Sequence, residues 1–364
     1  MRLCLDARVL QPHFPGIGRY TRNLLRALVA VDPTLELELL TEPGAERLSL
    51  PNARWHEVET VFSPRAQLLL PWRIRRLGAE LFHAPYYLYP FAAPGPIVVT
   101  LHDLIPLDYP DPSARRRARW LYEPLHRIAE RRAAAILTDS DAARASILRH
   151  LDVGPSRIAV VPLAPDPRFR ADPSVARERF LFTLFSTKPH KNSERLLRAY
   201  AATRPAGHGV PLLVAGLGPA TWRPFAARAE AEGVGDWVRP LDRLSDDDLR
   251  DHYQRCLAFL FPSYAEGFGL PVLEALACGA PTLIANRPPM IDLAAGAALT
   301  VDPFDLASLS GGMERLLHEP ELRARLGARG PARAADFTWH QTARRTLAVY
   351  QRVIAGRPVA GANR

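Results

Sequence analysis

The strongest constraint on this chain is an alternation that runs through it twice. Short apolar stretches are followed, again and again, by segments with helical spacing. Leu3–Ala7, Leu81–Ala84, Ile97–Leu101, Ala134–Thr138 and Ile158–Val161 read as buried strands. After the first of them Tyr20, Leu24, Leu28 and Val31 recur at helical intervals, until Asp32 and Pro33 stop the helix. The pattern breaks over Pro162–Pro173, where PLAPDPRFRADP concentrates proline, and this reads as a stiff linker. It then restarts. Leu181–Phe185, Leu212–Ala215, Leu257–Phe261 and Thr282–Ala285 read as strands, with Glu194–Thr203, Asp246–Arg255 and Pro271–Cys278 as helices. A helix between successive strands returns the chain to start the next strand in the same direction, so the sheets must be mostly parallel. The expected class is therefore α/β, with two Rossmann-like doubly wound parallel-sheet domains. We place them at residues 1–168 and 169–339, with a helix over 340–356 packing back on the first and a polar tail from Arg357. In such sheets ligands bind beyond the carboxyl ends of the strands.

Composition narrows the class further. A length of 364 residues suffices for two domains with buried cores, and 48% apolar with 23% charged residues excludes a disordered or collagen-like chain. The net charge is +9, yet Lys188 and Lys191 are the only lysines and the other basic residues are arginine. A GC-rich genome is the simplest cause of that skew. Cys4, Cys256 and Cys278 are odd in number and lack zinc spacing, which suits a reducing cytoplasm. The sequence has no apolar run long enough for a membrane span and no apolar signal core at its N-terminus, so the expected location is cytoplasmic.

Phe261–Pro281, FPSYAEGFGLPVLEALACGAP, carries the most chemistry. A strand ends at Phe261, a loop with two glycines follows, and a helix begins near Pro271 with Gly279 placed to cap its end. Gly267, Phe268, Gly269 and Leu270 thus present backbone N–H groups at a helix N-terminus, a natural cradle for phosphate. Glu266 and Glu274 flank it. A carboxylate accepts well from paired hydroxyls of a sugar. Each could equally be ordinary: Glu274 complementing the helix dipole in the first turn, Glu266 a surface charge.

The string Glu266-Gly-Phe-Gly-Leu-Pro-Val-Leu-Glu274 resembles the signature of retaining glycosyltransferases of family 4, mannosyltransferase-like group 1 enzymes with the GT-B fold. Other blocks follow in family order: VVTLHDLIPL (98–107), ILTDSDAARASIL (136–148), HKNSERLLRAYA (190–201), LLVAGLG (212–218) and FTWHQTA (337–343). The resemblance implies two domains facing across a cleft and a nucleoside-diphosphate sugar donor, GDP-mannose or a UDP-sugar, with no required cofactor or metal. It implies that Glu274 accepts from ribose hydroxyls, that Glu266 and the amides of residues 267–270 hold the hexose and diphosphate, and that Lys191 neutralises the departing diphosphate. The run TLFSTKPHKN departs from the family pattern. Phe185 stands where a glycine is usual and His190 where arginine is common, which leaves Lys188 or His190 to supply any second cation.

Two weaker segments gain meaning from the resemblance. In HFPGIGRYTRNLLRAL, Gly16 and Gly18 read either as a tight turn or as the loop closing near the donor phosphate, with Arg19 a phosphate or acceptor contact. At Thr100-Leu-His102-Asp103, His102 is either a structural histidine or a contact to the transferred sugar, with Asp103 orienting it or the acceptor. Tyr86 and Tyr87 either line the acceptor side or pack beneath a loop. Asp139-Ser-Asp141 and Asp246-Asp-Asp248 have metal-like spacing, but Ser140 and Ser245 read as helix N-caps with acids in the first turn.

Arginine concentrates in the first half: Arg73, Arg75 and Arg76, then Arg115, Arg116, Arg117 and Arg119, then Arg131 and Arg132. SPRAQLLLPWRIRRLGAELF mixes these with leucines and Trp72. A basic face beside a Trp/Leu face suits an anionic membrane surface; a solvated arginine-rich face is the plainer reading. No aromatic stacking platform points to nucleic acid. The expected function is retaining transfer of a hexosyl unit, mannose favoured, from a nucleotide-sugar to a glycan or lipid-linked oligosaccharide. A nucleotide-sugar epimerase of the same fold and an inactive sugar-nucleotide binder are the alternatives.

Overall fold

The computed structural model describes residues 1–11, 13–110, 116–204 and 209–359. The chain divides into two compact units, Met1–Leu163 with Thr338–Arg364, and Ala164–Phe337. Each is a doubly wound parallel sheet, as expected.

In the first unit the described strands are β1 (Arg2–Asp6), β2 (Glu36–Thr41), β3 (Ala53–Glu57), β4 (Leu81–Ala84), β5 (Ile97–Thr100), β6 (Ala135–Thr138) and β7 (Ile158–Val160). They pair in parallel in the order β3-β2-β1-β4-β5-β6-β7. Helices α1 (Pro15–Val31), α2 (Pro64–Leu77), α3 (Ile105–Asp108), α4 (Arg116–Arg132) and α5 (Asp141–His150) make the crossovers. Ala66, Leu70 and Ile74 of α2, Ala129 of α4 and Ile147 of α5 share one core with Phe82, Val99 and Ile136 of the strands. These three helices therefore cover the same face of the sheet.

The second unit repeats the plan. Strands β8 (Leu181–Leu184), β9 (Leu212–Ala215), β10 (Val238–Pro240), β11 (Ala258–Phe261), β12 (Thr282–Ala285) and β13 (Leu299–Val301) pair in parallel in the order β10-β9-β8-β11-β12-β13. Its described helices are α6 (Ser193–Ala202), α7 (Pro219–Ala231), α8 (Asp246–Arg255), α9 (Leu270–Ala277), α10 (Met290–Ala294), α11 (Leu306–His318) and α12 (Pro320–Ala334). The chain then returns to the first unit through α13 (Trp339–Ile354), which packs along α1. Thr338 caps α13, its hydroxyl accepting from Gln341 N, and Thr342 Oγ1 donates to Pro162 O at 2.8 Å.

Four strands escaped the reading of apolar runs: β2, β3, β10 and β13. Three of them are edge strands. An edge strand is buried on fewer sides and needs no continuous apolar run. β3, ARWHE, is half-exposed along its length. β2, ELELLT, hides a glutamate: Glu38 is buried and accepts from Arg54 at 2.9 Å, with His56 Nε2 at 2.6 Å, both on β3. The three cysteines are free and buried, and burial pushes the Cys256 and Cys278 thiols up to about 12, which leaves them unreactive.

Phe185, the departure from the family glycine, faces the core of the second unit and meets Phe225 edge-on at 5.4 Å. Its carbonyl explains Gly216, the first glycine after β9. Gly216 has φ +92°, and a Cβ there would lie 2.4 Å from Phe185 O. Gly218, two residues on, has open space around it. Gly216→Ala should therefore destabilise the fold by about 2 kcal/mol or more, from both clash and backbone strain. Gly218→Ala should change it by less than about 0.5 kcal/mol. Denaturant titration of the two variants side by side checks this ordering.

Candidate active site

In the second unit the order of the sheet places β8 beside β11, although the paired residues Leu181 and Ala258 lie 77 positions apart in sequence. The loops leaving their carboxyl ends therefore meet at the point where strand order reverses. After β8 the chain makes a short 3-10 turn at Pro189–Lys191, and Asn192 adopts left-handed φ 59°. Asn192 is buried, and its Nδ2 donates to Pro262 O at 3.2 Å and to Pro303 O at 2.8 Å. Tyr264 N donates to His190 O at 3.0 Å. These bonds clamp the first loop onto the second. Lys191 Nζ then donates to both carboxylate oxygens of Glu266, at 2.7 and 2.9 Å, and stands 5.3 Å from the centre of the Phe261 ring. In the sequence Asn192 is one residue of the basic segment; its clamping role depends on a backbone twist that spacing does not reveal.

The bend after Glu266 is held by packing. Gly269 has φ +98°, and a Cβ there would meet Met290 Cε at 2.1 Å. Phe268 is buried and meets Phe337 edge-on at 6.0 Å. Helix α9 starts at Leu270, with Pro271 in its first turn. That start corrects the position of Glu274, which lies in the second turn and is fully buried. The dipole effect fades beyond the first turn, so complementing it does not account for this residue. A buried carboxylate is expensive to keep unless something compensates it. Lys188 is exposed and His190 buried.

A second constellation lies in the first unit. β5 and β6 are neighbours with Thr100 opposite Leu137. Extending that register by two residues sets His102 beside Asp139, and the two are hydrogen-bonded, Nδ1 to Oδ2, at 2.7 Å. Asp139 is buried, and Tyr20 meets the His102 ring edge-on at 4.8 Å. Burial works against the charged ring, but the charge and hydrogen bond of Asp139, with Asp103 behind them, outweigh it and raise the His102 pKa. His102 Nε2 is buried and makes no hydrogen bond of standard geometry among the described residues, although the Pro85 backbone also favours the protonated ring.

Behind this pair runs a buried chain of polar groups. Tyr350 OH lies 2.6 Å from His83 Nδ1, His83 Nε2 lies 2.8 Å from Thr100 Oγ1, and Thr100 Oγ1 lies 3.1 Å from Tyr20 OH. Burial, with His102 nearby, pulls His83 down to about 3, so its ring is neutral and can accept at one nitrogen and donate from the other. Neither His83 nor Tyr350 stood out in the sequence, because each sits singly within an apolar run.

Two readings need correction. Asp139, not Asp103, is hydrogen-bonded to the His102 ring; Asp103 Oδ1 accepts from Ile105 N at 3.0 Å at the start of α3 and acts on the ring through its charge. Asp139 is thus more than a neighbour of the Ser140 cap. Gly16 and Gly18 are not in a loop but in the first turn of α1, because Pro15 starts the helix. Gly18 is small for packing: a Cβ would lie 3.0 Å from Val9 O. Arg19, next to it, is half-buried on α1. Tyr86 and Tyr87 join an aromatic cluster, Tyr86 at 5.2 Å from Phe14 and Tyr87 stacked at 3.9 Å on His126.

The two acidic segments with metal-like spacing end as caps. Ser140 Oγ accepts from Ala143 N, and Ser245 with Asp248 forms a reciprocal capping box. Among the described residues no group of three or more His, Cys, Asp or Glu side chains could hold a metal ion.

Comparison with known proteins adds to this geometry. The model for "Glycosyl transferases group 1" matches residues 167–333, and that for "Glycosyltransferase Family 4" matches residues 15–169. The chain is 32% identical to the MMP alpha-(1->4)-mannosyltransferase of Mycolicibacterium hassiacum, over 98% of this chain and 99% of the relative. It is 27% identical to the O-antigen chain mannosyltransferase B of Escherichia coli, over 96% and 100%. Sucrose-phosphate synthase from Thermosynechococcus elongatus superposes with a TM-score of 0.79 at 20% identity, covering 98% of this chain and 99% of that one. HepE of Anabaena, solved with UDP and glucose, gives 0.70 at 16% identity, covering 96% and 99%. With these matches spanning both units, the chain belongs to the group 1, family 4 glycosyltransferases of GT-B fold, and it is a glycosyltransferase.

Proposed function

We propose that the enzyme transfers a mannosyl unit from GDP-mannose to a hydroxyl of a glycan or lipid-linked oligosaccharide, with retention of configuration. The printed activities of the two relatives support mannose, and their being transferases favours transfer over epimerisation or mere binding. The neighbour solved with UDP keeps a UDP-sugar as the rival donor.

The observation that carries the reading is the Lys191–Glu266 pair at the carboxyl ends of β8 and β11, next to the N-terminus of α9. On this reading the diphosphate competes with Glu266 for Lys191. The released carboxylate then accepts from hexose hydroxyls, while the amides of residues 267–270 and the helix dipole face the phosphate. Glu274 accepts from the ribose. As the bond from the anomeric carbon to the diphosphate breaks, the electron pair leaves with the diphosphate. Lys191 stabilises that growing charge more than it stabilises the bound donor. The acceptor oxygen bonds to the same face of the sugar, and its proton passes to a diphosphate oxygen. His102, held at Nδ1 by Asp139, offers Nε2 to a hydroxyl of the transferred sugar. Lys191 and the helix supply the positive charge, so no divalent ion is required.

A thermal-shift series with GDP-mannose, GDP, UDP-glucose and ADP-glucose tests the donor. GDP-mannose at saturating concentration should raise the melting midpoint by about 2–4 °C, since a ligand that binds only the folded state stabilises it. A shift with UDP-glucose alone would reassign the nucleotide. Lys191→Ala should lower kcat roughly 10²–10³-fold, the scale of losing one preorganised charge at a leaving group. EDTA should leave the wild-type rate unchanged. Activity indifferent to both Lys191→Ala and Glu274→Ala would refute the site.

His102 gives a pH test. Its folded pKa is raised, so the Asp139 interaction stabilises the fold fully below the unfolded value of about 6.5. That stabilisation fades as pH rises through the folded value. The melting midpoint of wild type minus that of His102→Gln should therefore shrink between about pH 5.5 and about pH 8.5, from roughly one unit below the ordinary histidine value to roughly two above it. In Asp139→Asn the histidine resonance should titrate at lower pH than in wild type, as followed by NMR.

A further inference from the structure

The first unit carries exposed apolar side chains arranged in a way that the core does not explain. On α2 the core side is occupied by Ala66, Leu70 and Ile74. The opposite side is apolar too: Leu68 is 80% exposed, Trp72 58% and Leu69 45%, with Phe62 at 60% just before the helix. Positions 65, 68, 69, 72 and 76 fall on one stripe at helical spacing. Arg65 stands at its start, and Arg75 and Arg76 at its end, all exposed. The Arg76 guanidinium lies 4.0 Å from the centre of the Trp72 ring. The helix holds no acidic residue from Pro64 to Leu77. The leucines and tryptophan thus share the arginine stripe rather than forming a separate face.

Helix α4, on the same face of the sheet, repeats the arrangement. Leu121 is 59% exposed and Ile128 42%, seven residues apart and so nearly in line, with Pro124 exposed between them. Arg131 and Arg132 follow, also exposed. The acids of this helix are matched by arginine: Glu123 pairs with Arg127 at 2.8 Å and buried Glu130 with Arg157 at 2.9 Å. Both helices hold the segment between them. Gln67 Nε2 donates to Tyr89 O, Phe91 N donates to Gln67 Oε1, and Arg132 Nε donates to Phe91 O at 2.8 Å. Arg115 lies outside the described residues, as do the side chains of Arg116, Arg117 and Arg119.

We infer that the exposed stripes of α2 and α4 form a docking surface for an anionic lipid bilayer, with Leu68, Leu69, Trp72, Leu121 and Ile128 entering the headgroup boundary and the flanking arginines pairing with lipid phosphates. Charge selects this occupant. A second copy of the chain would bring the same arginines against themselves, whereas an anionic surface complements them. Tryptophan and arginine are also the side chains suited to a layer apolar on one side and wet on the other. The lipid-linked acceptor of the proposed reaction gives this surface a use, and to that extent it rests on the proposed function; binding to lipid does not.

Sedimentation of the full chain with vesicles tests the surface. Vesicles of phosphatidylcholine mixed with phosphatidylglycerol should carry the protein down, phosphatidylcholine alone should not, and added salt should weaken the binding. Leu69→Ser with Trp72→Ser, and separately Arg75→Glu with Arg76→Glu, should each weaken it roughly tenfold or more. Unchanged melting midpoints would show that these exposed substitutions leave the fold intact. No binding to the mixed vesicles, or binding indifferent to both double variants, overturns the proposal. So does a dimer in sedimentation velocity that the leucine–tryptophan variant dissociates. Donor-induced thermal shift in the same samples reports the transferase site independently, so failure of one reading is visible apart from failure of the other.

Discussion

Parallel strand pairing is the constraint on which the rest of this structure depends. It sends every carboxyl end in one sheet to the same edge, and the doubly wound order makes strands distant in sequence into neighbours. His102 and Asp139 meet because β5 and β6 run side by side in register. Lys191 and Glu266 meet because β8 and β11 do. The first pair follows directly from strand register; the second also needs the loop that Asn192 clamps after β8. The loops only have to leave the strands at the right height, and backbone hydrogen bonds set that height.

Buried polar groups then fix the loops. Arg8 is almost wholly buried and pairs with Asp6 through two bonds, at 2.7 and 2.6 Å, while its Nη1 donates to Glu59 O and Thr60 O. One side chain thereby ties the end of β1 to the segment leading into α2. Removing either member of such a pair leaves a buried charge alone, a loss of about 3–5 kcal/mol. The Tyr350–His83–Thr100–Tyr20 chain does comparable work with neutral groups and joins α13 to the strands behind His102. Asn192 is the counterpart in the second unit. In a low-dielectric interior each of these must be fully satisfied, and satisfaction leaves only one geometry.

The arginine skew acquires structure once burial is known. Some arginines are structural, as at Arg8 and Arg157, where guanidinium groups collect backbone carbonyls and carboxylates. Others line the outward stripes of α2 and α4 beside leucine and tryptophan. Net charge alone distinguishes nothing of this. A positive total is compatible with codon bias, with internal ion pairs and with a surface built for phosphate; the placement of each side chain separates them.

The sequence by itself determined the class of fold, because apolar runs alternating with helical spacing admit few solutions other than parallel sheets. It also located the central strands, the helix caps at Ser140 and Ser245, and the segment from Glu266 to Glu274, since each is a local pattern with a local cause. Edge strands such as β3 stayed hidden because half-exposed residues carry no run. The partners of His102 and Lys191 stayed hidden too, because strand order, not spacing, brings them together. Only the tertiary structure decided that Asp139 rather than Asp103 holds His102, that Glu274 is buried one turn inside its helix, and that Phe185 turns into the core. The physical reason is the same in each case. Burial and register depend on which elements become neighbours, and a one-dimensional pattern records periodicity but not neighbours.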